Sequence, residues 1–106
     1  MSATDTTLDV ANTILAQLGG AGRLTAMIGA KHFVGDATSL TFKWTAPSTN
    51  KANCAVITLD READAYTVRF CRVARLDVAE KGTREGVQLA ELRRVIEGAT
   101  GLRLSL

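Results

Sequence analysis

Two short segments in which apolar and polar residues alternate constrain this fold more than any other feature of the sequence. Residues 39–45 read Ser-Leu-Thr-Phe-Lys-Trp-Thr, and residues 65–73 read Ala-Tyr-Thr-Val-Arg-Phe-Cys-Arg-Val. Because successive side chains of a strand point to opposite faces, each segment predicts a strand with one apolar and one polar face. A third predicted strand, residues 54–59, is β-branched at its centre, and a polar turn over residues 60–64 joins it to the next.

Apolar residues at helical spacing flank these strands in the sequence. The spacing predicts a helix over residues 8–18, a short helix or turn over about residues 23–28 that stops at Gly29, and a final helix over about residues 84–99. Gly101 stands where the C-terminal cap of the last helix is expected.

Two internal segments and the C-terminal tail leave alternatives open. Residues 30–38 show no clear pattern beyond a turn at Gly35-Asp36. Within residues 73–85, Arg75–Val78 is an alternative extension of the sheet and Lys81-Gly82 predicts a turn. The tail, residues 102–106, is either a last short strand or a hydrophobic end that folds onto the core.

The order of helix, hairpin-linked strands and helix predicts an α+β fold. We expect a two-layer sandwich, in which a small antiparallel sheet of three to four strands has the N- and C-terminal helices packed on one face. The 106 residues suit a single domain, with residues 1–6 expected to be flexible.

The charge balance and the hydropathy pattern narrow the classes of function. The formal net charge of +2, from 13 basic and 11 acidic residues, is too small to predict nucleic-acid binding by itself. No segment approaches the roughly 20 apolar residues of a membrane span and no signal peptide opens the chain, so we expect a cytoplasmic protein without a membrane partner. Cys54 and Cys71 are then expected to be reduced, a disulfide being the alternative if their strands are neighbours.

No catalytic residue, metal ligand or cofactor is predicted. The one histidine, His32, has no nucleophile motif to accompany it. The two cysteines and the histidine match no zinc spacing. The acidic residues of the 60–64 turn lack the glycine and the final glutamate of a calcium loop. These features predict a binding protein rather than an enzyme.

The glycine-rich segment 19–23 resembles a phosphate loop in composition only. A phosphate loop follows a strand, whereas these glycines follow a predicted helix and are expected to end it. In the alternative, Arg23 begins a helix whose N-terminus holds an anion beside Lys31.

The polar face of the predicted sheet is the main candidate site. If the strands pair in order, its members share one surface: Thr41, Lys43, Thr45, Thr58, Thr67, Arg69 and Cys71. This face is either an ordinary solvated surface or a docking surface, because an antiparallel sheet can face water without a special purpose.

Two residue sets express the two binding hypotheses. The candidate residues for a protein partner, on this face and in the 46–53 loop, are Lys43, Arg69, Thr41, Thr67 and Lys51. The candidate residues for the alternative, direct binding of nucleic acid, are Lys31, Lys43, Arg69, Arg72 and Arg75. Proteins that bind single strands usually have aromatic residues interleaved with the cations. These cations have none, because Trp44, Tyr66 and Phe70 fall on the predicted core face.

Five segments, in order and spacing, resemble a family of small uncharacterised proteins carried by phages, prophages and other mobile elements. They are Ile14–Gly20, Ala26–Phe33, Ser39–Phe42, Ile57–Phe70 and Ala99–Leu102. This chain has Ile28 where the family pattern has Thr, and His32 where it has Asn, which argues against a critical role for His32.

The resemblance implies a context rather than a chemistry. It implies a non-enzymatic protein in the cytoplasm of a bacterial host cell, where it binds a host protein or a protein–nucleic-acid complex. Stoichiometric inhibition of a bacterial defence system, such as a CRISPR nuclease, is one such role. The pattern leaves a monomer and a homodimer joined through an exposed edge strand as alternatives.

Overall fold

A computed structural model describes residues 9–75 and 77–104 of the chain. Over these residues the fold is α+β, with a five-stranded antiparallel sheet and three α-helices. In chain order the elements are α1 (Asp9–Gln17), α2 (Ala21–Ile28), β1 (Lys31–Gly35), β2 (Ser39–Lys43), β3 (Cys54–Asp60), β4 (Ala65–Ala74), β5 (Asp77–Val87), a 3₁₀ turn (Leu89–Glu91) and α3 (Leu92–Thr100). The strand order follows the chain order, and each strand pairs antiparallel with the next.

The predicted number of strands, three to four, was wrong because β1 and β5 carry little alternation. Every residue of β5 except Val87 is exposed, so no apolar side chain recurs every second position. In β1 only Phe33 is a partly buried hydrophobic residue packed against the core. Strands that bury one or no side chain give no periodic signal in the sequence.

Two predictions for the second half of the chain were wrong, the turn at Lys81-Gly82 and the helix start near Arg84. Glycines at β-bulges explain both. The register of β5 against β4 shifts twice, and Gly82 and Gly86 have φ values of 143° and 67° there. A bulge and a turn need the same left-handed glycine, so Lys81-Gly82 resembled a turn but lies within β5. Arg84 likewise belongs to β5, and the last helix begins only at Leu92.

The hydrophobic core contains buried residues of the sheet and of all three helices. Phe42, Ile57 and Phe70 are at most 1% exposed, and they belong to the same hydrophobic cluster as the buried helix residues Ile14, Leu18, Leu24, Ile28, Leu92 and Ile96. The predicted core positions of Trp44, Tyr66 and Phe70 are confirmed, since these residues are 3%, 8% and 1% exposed. Phe33, Phe42 and Trp44 form a row of aromatic rings with centroids 5.7 and 5.8 Å apart.

The two predicted glycine ends of α2 and α3 are confirmed. Gly29 and Gly101 both take the left-handed conformation that ends a helix, with φ values of 70° and 74°. A Cβ atom at Gly29 would also overlap the hydroxyl oxygen of Thr45. Within the described part of the chain, no helix is long and apolar enough to cross a membrane.

The chain termini lie partly outside the described residues. Leu8, at the start of the first predicted helix, and the expected flexible segment 1–6 are outside them, as are residues 105 and 106. In the described part of the tail, Leu102 and Leu104 are buried without forming a strand. This part follows the second alternative, a hydrophobic end folded onto the core.

Asp36 holds the turn between β1 and β2. Its Oδ1 accepts hydrogen bonds from the backbone N–H groups of Thr38 and Ser39 and from the Ser39 hydroxyl, at 3.0, 2.9 and 2.9 Å. Bonds donated to a carboxylate favour its charged form, so those from Thr38 and Ser39 lower the pKa of Asp36 below its ordinary value of 3.8.

The pKa of Asp36 predicts a loss of stability in acid. A lowered folded-state pKa contributes stability above the unfolded-state pKa, and this stability is lost as the pH falls through the folded-state value. We expect Asp36 to titrate below 3.8 in a carboxyl NMR titration. Asp36→Asn, which keeps an acceptor, should be less acid-sensitive in urea unfolding than the parent, and Asp36→Ala should be destabilised at neutral pH. Titration of Asp36 at or above its ordinary value would contradict this.

Candidate functional site

A groove lined by basic side chains lies at one end of the sheet, where several segments begin or end. It has a volume of about 940 Å³ and is bounded by β1, the end of β2, the 44–53 loop, the end of β4 and the middle of β5. Its basic lining residues are Lys31, Lys43, Lys51, Arg72 and Lys81. No Asp or Glu is among the residues that line it in the described part of the chain. We call this set of five cations and its surface the cationic groove.

A bulge in β1 brings Lys31 into the groove. Lys31 pairs with Lys43 and Val34 pairs with Thr41, so β1 has one residue more than β2 over this stretch. His32 within the bulge takes a left-handed φ of 57°. In a regular strand Lys31 would share the face of Phe33, which packs against the core. The extra residue therefore moves Lys31 onto the face of Lys43.

The pairing of Lys31 with Lys43 places two like charges directly opposite each other. Cβ atoms of opposed residues in an antiparallel pair are about 4.5–5.5 Å apart, and like charges there are destabilising. An anion bound between the two ammonium groups would be attracted by both and would offset this repulsion.

The 44–53 loop is held in place by backbone bonds to neighbouring elements. The N–H groups of Thr45 and Ala46 donate to the carbonyl of Ile28 at the end of α2, at 3.3 and 3.1 Å. The N–H of Thr49 donates to the carbonyl of Thr100 at the end of α3, at 2.8 Å. The loop therefore forms a positioned wall of the groove.

Asn53 and Arg72 join the loop to β4. The Asn53 side chain donates to the carbonyl of Val73 at 3.0 Å and accepts from the Val73 N–H at 2.7 Å. Arg72 Nη1 donates to the carbonyl of Lys51 at 3.2 Å. The last of these bonds holds the Arg72 guanidinium against the backbone of Lys51.

Unusual backbone conformations concentrate in this groove. Of the three non-glycine residues with positive φ in the described chain, His32 and Lys51, at 57° and 68°, line it, and only Asp64 lies elsewhere. Each such residue costs on the order of 1–3 kcal/mol and persists where the surrounding structure holds it. Conformations of this kind are typical of binding sites.

Trp44 forms a buried part of the groove wall. The residue is 3% exposed, and its indole Nε1–H has no hydrogen-bond acceptor among the described residues. An unsatisfied buried donor costs about 1–3 kcal/mol. Trp44 is also the only tryptophan of the chain, so its emission is a specific probe of this groove.

The two cysteines lie beside the groove on neighbouring strands. Cys54 pairs with Lys43 on one side and with Cys71 on the other, and both thiols are free. Burial raises the pKa of the Cys54 thiol, the nearby Cys71 adds to this effect, and Lys43 opposes it. The condition set by the sequence for a disulfide, adjacent strands, is met, while the thiols of this structure are not joined.

The structure divides the residues predicted for binding between two surfaces. Lys43 and Lys51 of the protein-partner set, and Lys31, Lys43 and Arg72 of the nucleic-acid set, line the cationic groove. In the β2–β3–β4 register Thr41 and Arg69 are both aligned with Val56, and Thr67 is aligned with Thr58. Arg75 lies in the turn after β4, and Thr45 lies beyond the end of β2. The alternation predicted that Thr45 would extend the polar face of this strand. Thr45 lies outside the strand, so this part of the prediction was wrong.

Sequence reasoning missed that Lys81, His32, Trp44 and Asn53 line the groove. Gly82 could have indicated a β-bulge at Lys81, but a Lys-Gly pair is also typical of turns. The remaining three have no local motif, because their proximity depends on how the strands pair.

No family model, curated protein or solved structure matches this chain, so the resemblance to phage-encoded proteins stays a prediction.

The pairing of Lys31 with Lys43 predicts that reversing either charge stabilises the fold. We expect Lys31→Glu and Lys43→Glu each to raise the unfolding free energy by about 0.2–1 kcal/mol, because each replaces a like-charge pair by an opposite-charge pair. The double variant restores like charges and should lose this gain. Urea unfolding of the four proteins at low salt gives the coupling energy. Strictly additive effects would show that the two side chains do not interact.

The buried thiol of Cys54 predicts slow chemical modification. The thiolate is the reactive form, and a raised pKa lowers its fraction at a given pH. We expect iodoacetamide to label Cys54 more slowly in the folded protein than in urea at the same pH, as measured by peptide mass spectrometry. Equal rates in the two states would contradict the burial of this thiol.

Proposed function

We propose that this protein is a non-enzymatic binding protein that holds an anionic macromolecule in the cationic groove. The observation that supports this most directly is the convergence of five cations, without a lining carboxylate among the described residues. The chain as a whole carries a net charge of only +2, so this local concentration is not a consequence of its composition. A groove lined by one sign of charge attracts ligands of the other sign.

The lining favours binding over catalysis. A histidine that acts as a base is oriented by a partner, usually a carboxylate. His32 shares its groove with cations, and no lining carboxylate is present among the described residues. The enzyme alternative, with His32 as the catalytic base, is therefore the weaker one.

A second candidate surface is the polar sheet face that the sequence predicted. We propose that α1 and α3 cover only the face of Phe42, which would leave the face of Thr41, Thr67 and Arg69 open to a protein partner. Its support is the register, which aligns Thr41 and Arg69 with the same β3 residue, Val56. Lys43 lies in this register and also lines the groove, so it does not distinguish the two surfaces.

The biological role implied by the resemblance remains part of the proposal. A phage or mobile-element protein that binds a host macromolecule in the bacterial cytoplasm, such as the nucleic-acid-laden complex of a CRISPR nuclease, would use a site that attracts anions. A stoichiometric inhibitor needs affinity and a fitting surface, and it needs no catalytic group.

Two charge reversals of the same size distinguish the two surfaces. Arg72→Glu changes a groove residue and Arg69→Glu a residue of the sheet face; both side chains are exposed and both lie on β4. We expect Arg72→Glu to reduce capture of bacterial lysate partners by the tagged protein at least tenfold, and Arg69→Glu to leave it nearly unchanged. Mass spectrometry after pull-down, with and without nuclease, measures the capture.

Lys81→Glu serves as a second groove variant, because Arg72 also bonds the loop and its loss can disturb the groove wall. Circular dichroism establishes that each variant is folded. Loss of capture in Arg69→Glu alone would move the site to the sheet face, and full capture by all three variants would refute both sites.

A further inference from the structure

We infer that the partner of the cationic groove is the phosphate backbone of a nucleic-acid duplex, bound without reading the bases. This inference rests on the proposed function and adds the chemistry of the ligand. The argument uses the number of cations in the groove, the type of these cations and the position of its aromatic residue.

The number of cations points to an extended polyanion. A single terminal phosphate carries about −1.5 to −2 charges, which would leave most of the five groove cations unmatched. These cations come from four strands, β1, β2, β4 and β5, and from the 44–53 loop, so no single segment supplies the charge of the groove. A nucleic-acid backbone supplies about one negative charge per linking phosphate and matches such a spread.

The type of the cations favours phosphate over an acidic protein surface. Four of the five are lysines. Lysine is depleted in protein–protein interfaces, whose buried centres are enriched in aromatic residues and arginine. Lysine and arginine contacts to phosphate, by contrast, supply most of the sequence-independent affinity for nucleic acids.

The position of the aromatic residue favours a duplex over a single strand. Single-strand binders present aromatic faces on which successive bases stack. Of the Trp, Tyr and Phe residues that the structure describes, only Trp44 lines the groove. Trp44 is 3% exposed and packs against Phe42. Among the described residues, the groove therefore offers charge to a backbone and no exposed Trp, Tyr or Phe ring to a base.

The repulsion between the two opposed lysines explains how a bound phosphate would gain binding energy. Lys31 and Lys43 repel each other across β1 and β2 in the absence of an anion. A phosphate between them would be attracted by both, so part of the binding energy would come from relief of this repulsion. The β1 bulge at His32 is what makes this arrangement available.

The test is fluorescence anisotropy with a labelled DNA duplex over a series of salt concentrations. Release of counterions gives a slope of log affinity against log salt of about −0.9 per phosphate contact. If all five cations contact phosphates, we expect a slope of about −4.5, which is roughly a 500-fold loss between about 50 and 200 mM salt. Two duplexes of unrelated sequence should bind with equal affinity.

Matched variants assign the slope to the groove. Lys81→Ala should reduce the magnitude of the slope by about 0.9, whereas Arg61→Ala, an exposed residue outside the groove, should leave it unchanged. Addition of the duplex should change the emission of Trp44 in the parent protein and not in Arg72→Glu.

The comparison ligands separate the failure of this inference from the failure of the proposed function. Tighter binding of a single strand, or of a polyglutamate peptide, than of the duplex overturns the inference and keeps an anion-binding groove. Absence of binding to every probe at low salt also overturns it. The proposed function is then judged separately, by whether Arg72→Glu and Lys81→Glu lose their partners in the lysate.

Discussion

The antiparallel register of β2, β3 and β4 is the constraint on which the other features of this protein depend. It aligns Phe42, Ala55 and Phe70 in one row across the sheet and Lys43, Cys54 and Cys71 in the next. Because the side-chain period of a strand is two residues, a slip by one position would exchange these rows between the faces. Lysine would then enter the core and phenylalanine would leave it, so burial of the apolar row specifies the register.

The cationic groove lies where this well-packed sheet ends, and it contains several features that oppose folding. Two lysines stand opposite each other, His32 and Lys51 have left-handed backbones, and the indole N–H of Trp44 lacks an acceptor among the described residues. The fully buried core and the hydrogen bonds that tie the loop to α2, α3 and β4 offset these costs. Local conflicts with otherwise consistent folding rules are typical of functional sites.

The edges of the sheet bear on how the protein meets a partner. An exposed edge strand offers unpaired backbone groups to another chain, and β5 is long and exposed. Its charged residues and its two glycine bulges are devices that hinder pairing of such an edge with another sheet. The short, bulged β1 at the other edge is similarly protected. Both features disfavour extension of the sheet by a second chain.

The sequence by itself determined the elements that bury a periodic face, and the tertiary structure decided the site. Alternation placed β2 and β4, and β-branched residues placed β3, each within one or two residues. Alternation also assigned Trp44, Tyr66 and Phe70 to the core, while glycines marked the ends of α2 and α3. Lys31, Lys43 and Arg72 were candidates from their charge alone, and nothing in the chain pattern placed them together or added Lys81. Hydrophobic periodicity is a local property that survives in the sequence of an isolated segment. The groove depends on a bulge that turns one lysine to the other face, on a loop held by distant carbonyls and on pairing between strands far apart in the chain, and these exist only once the sheet has formed.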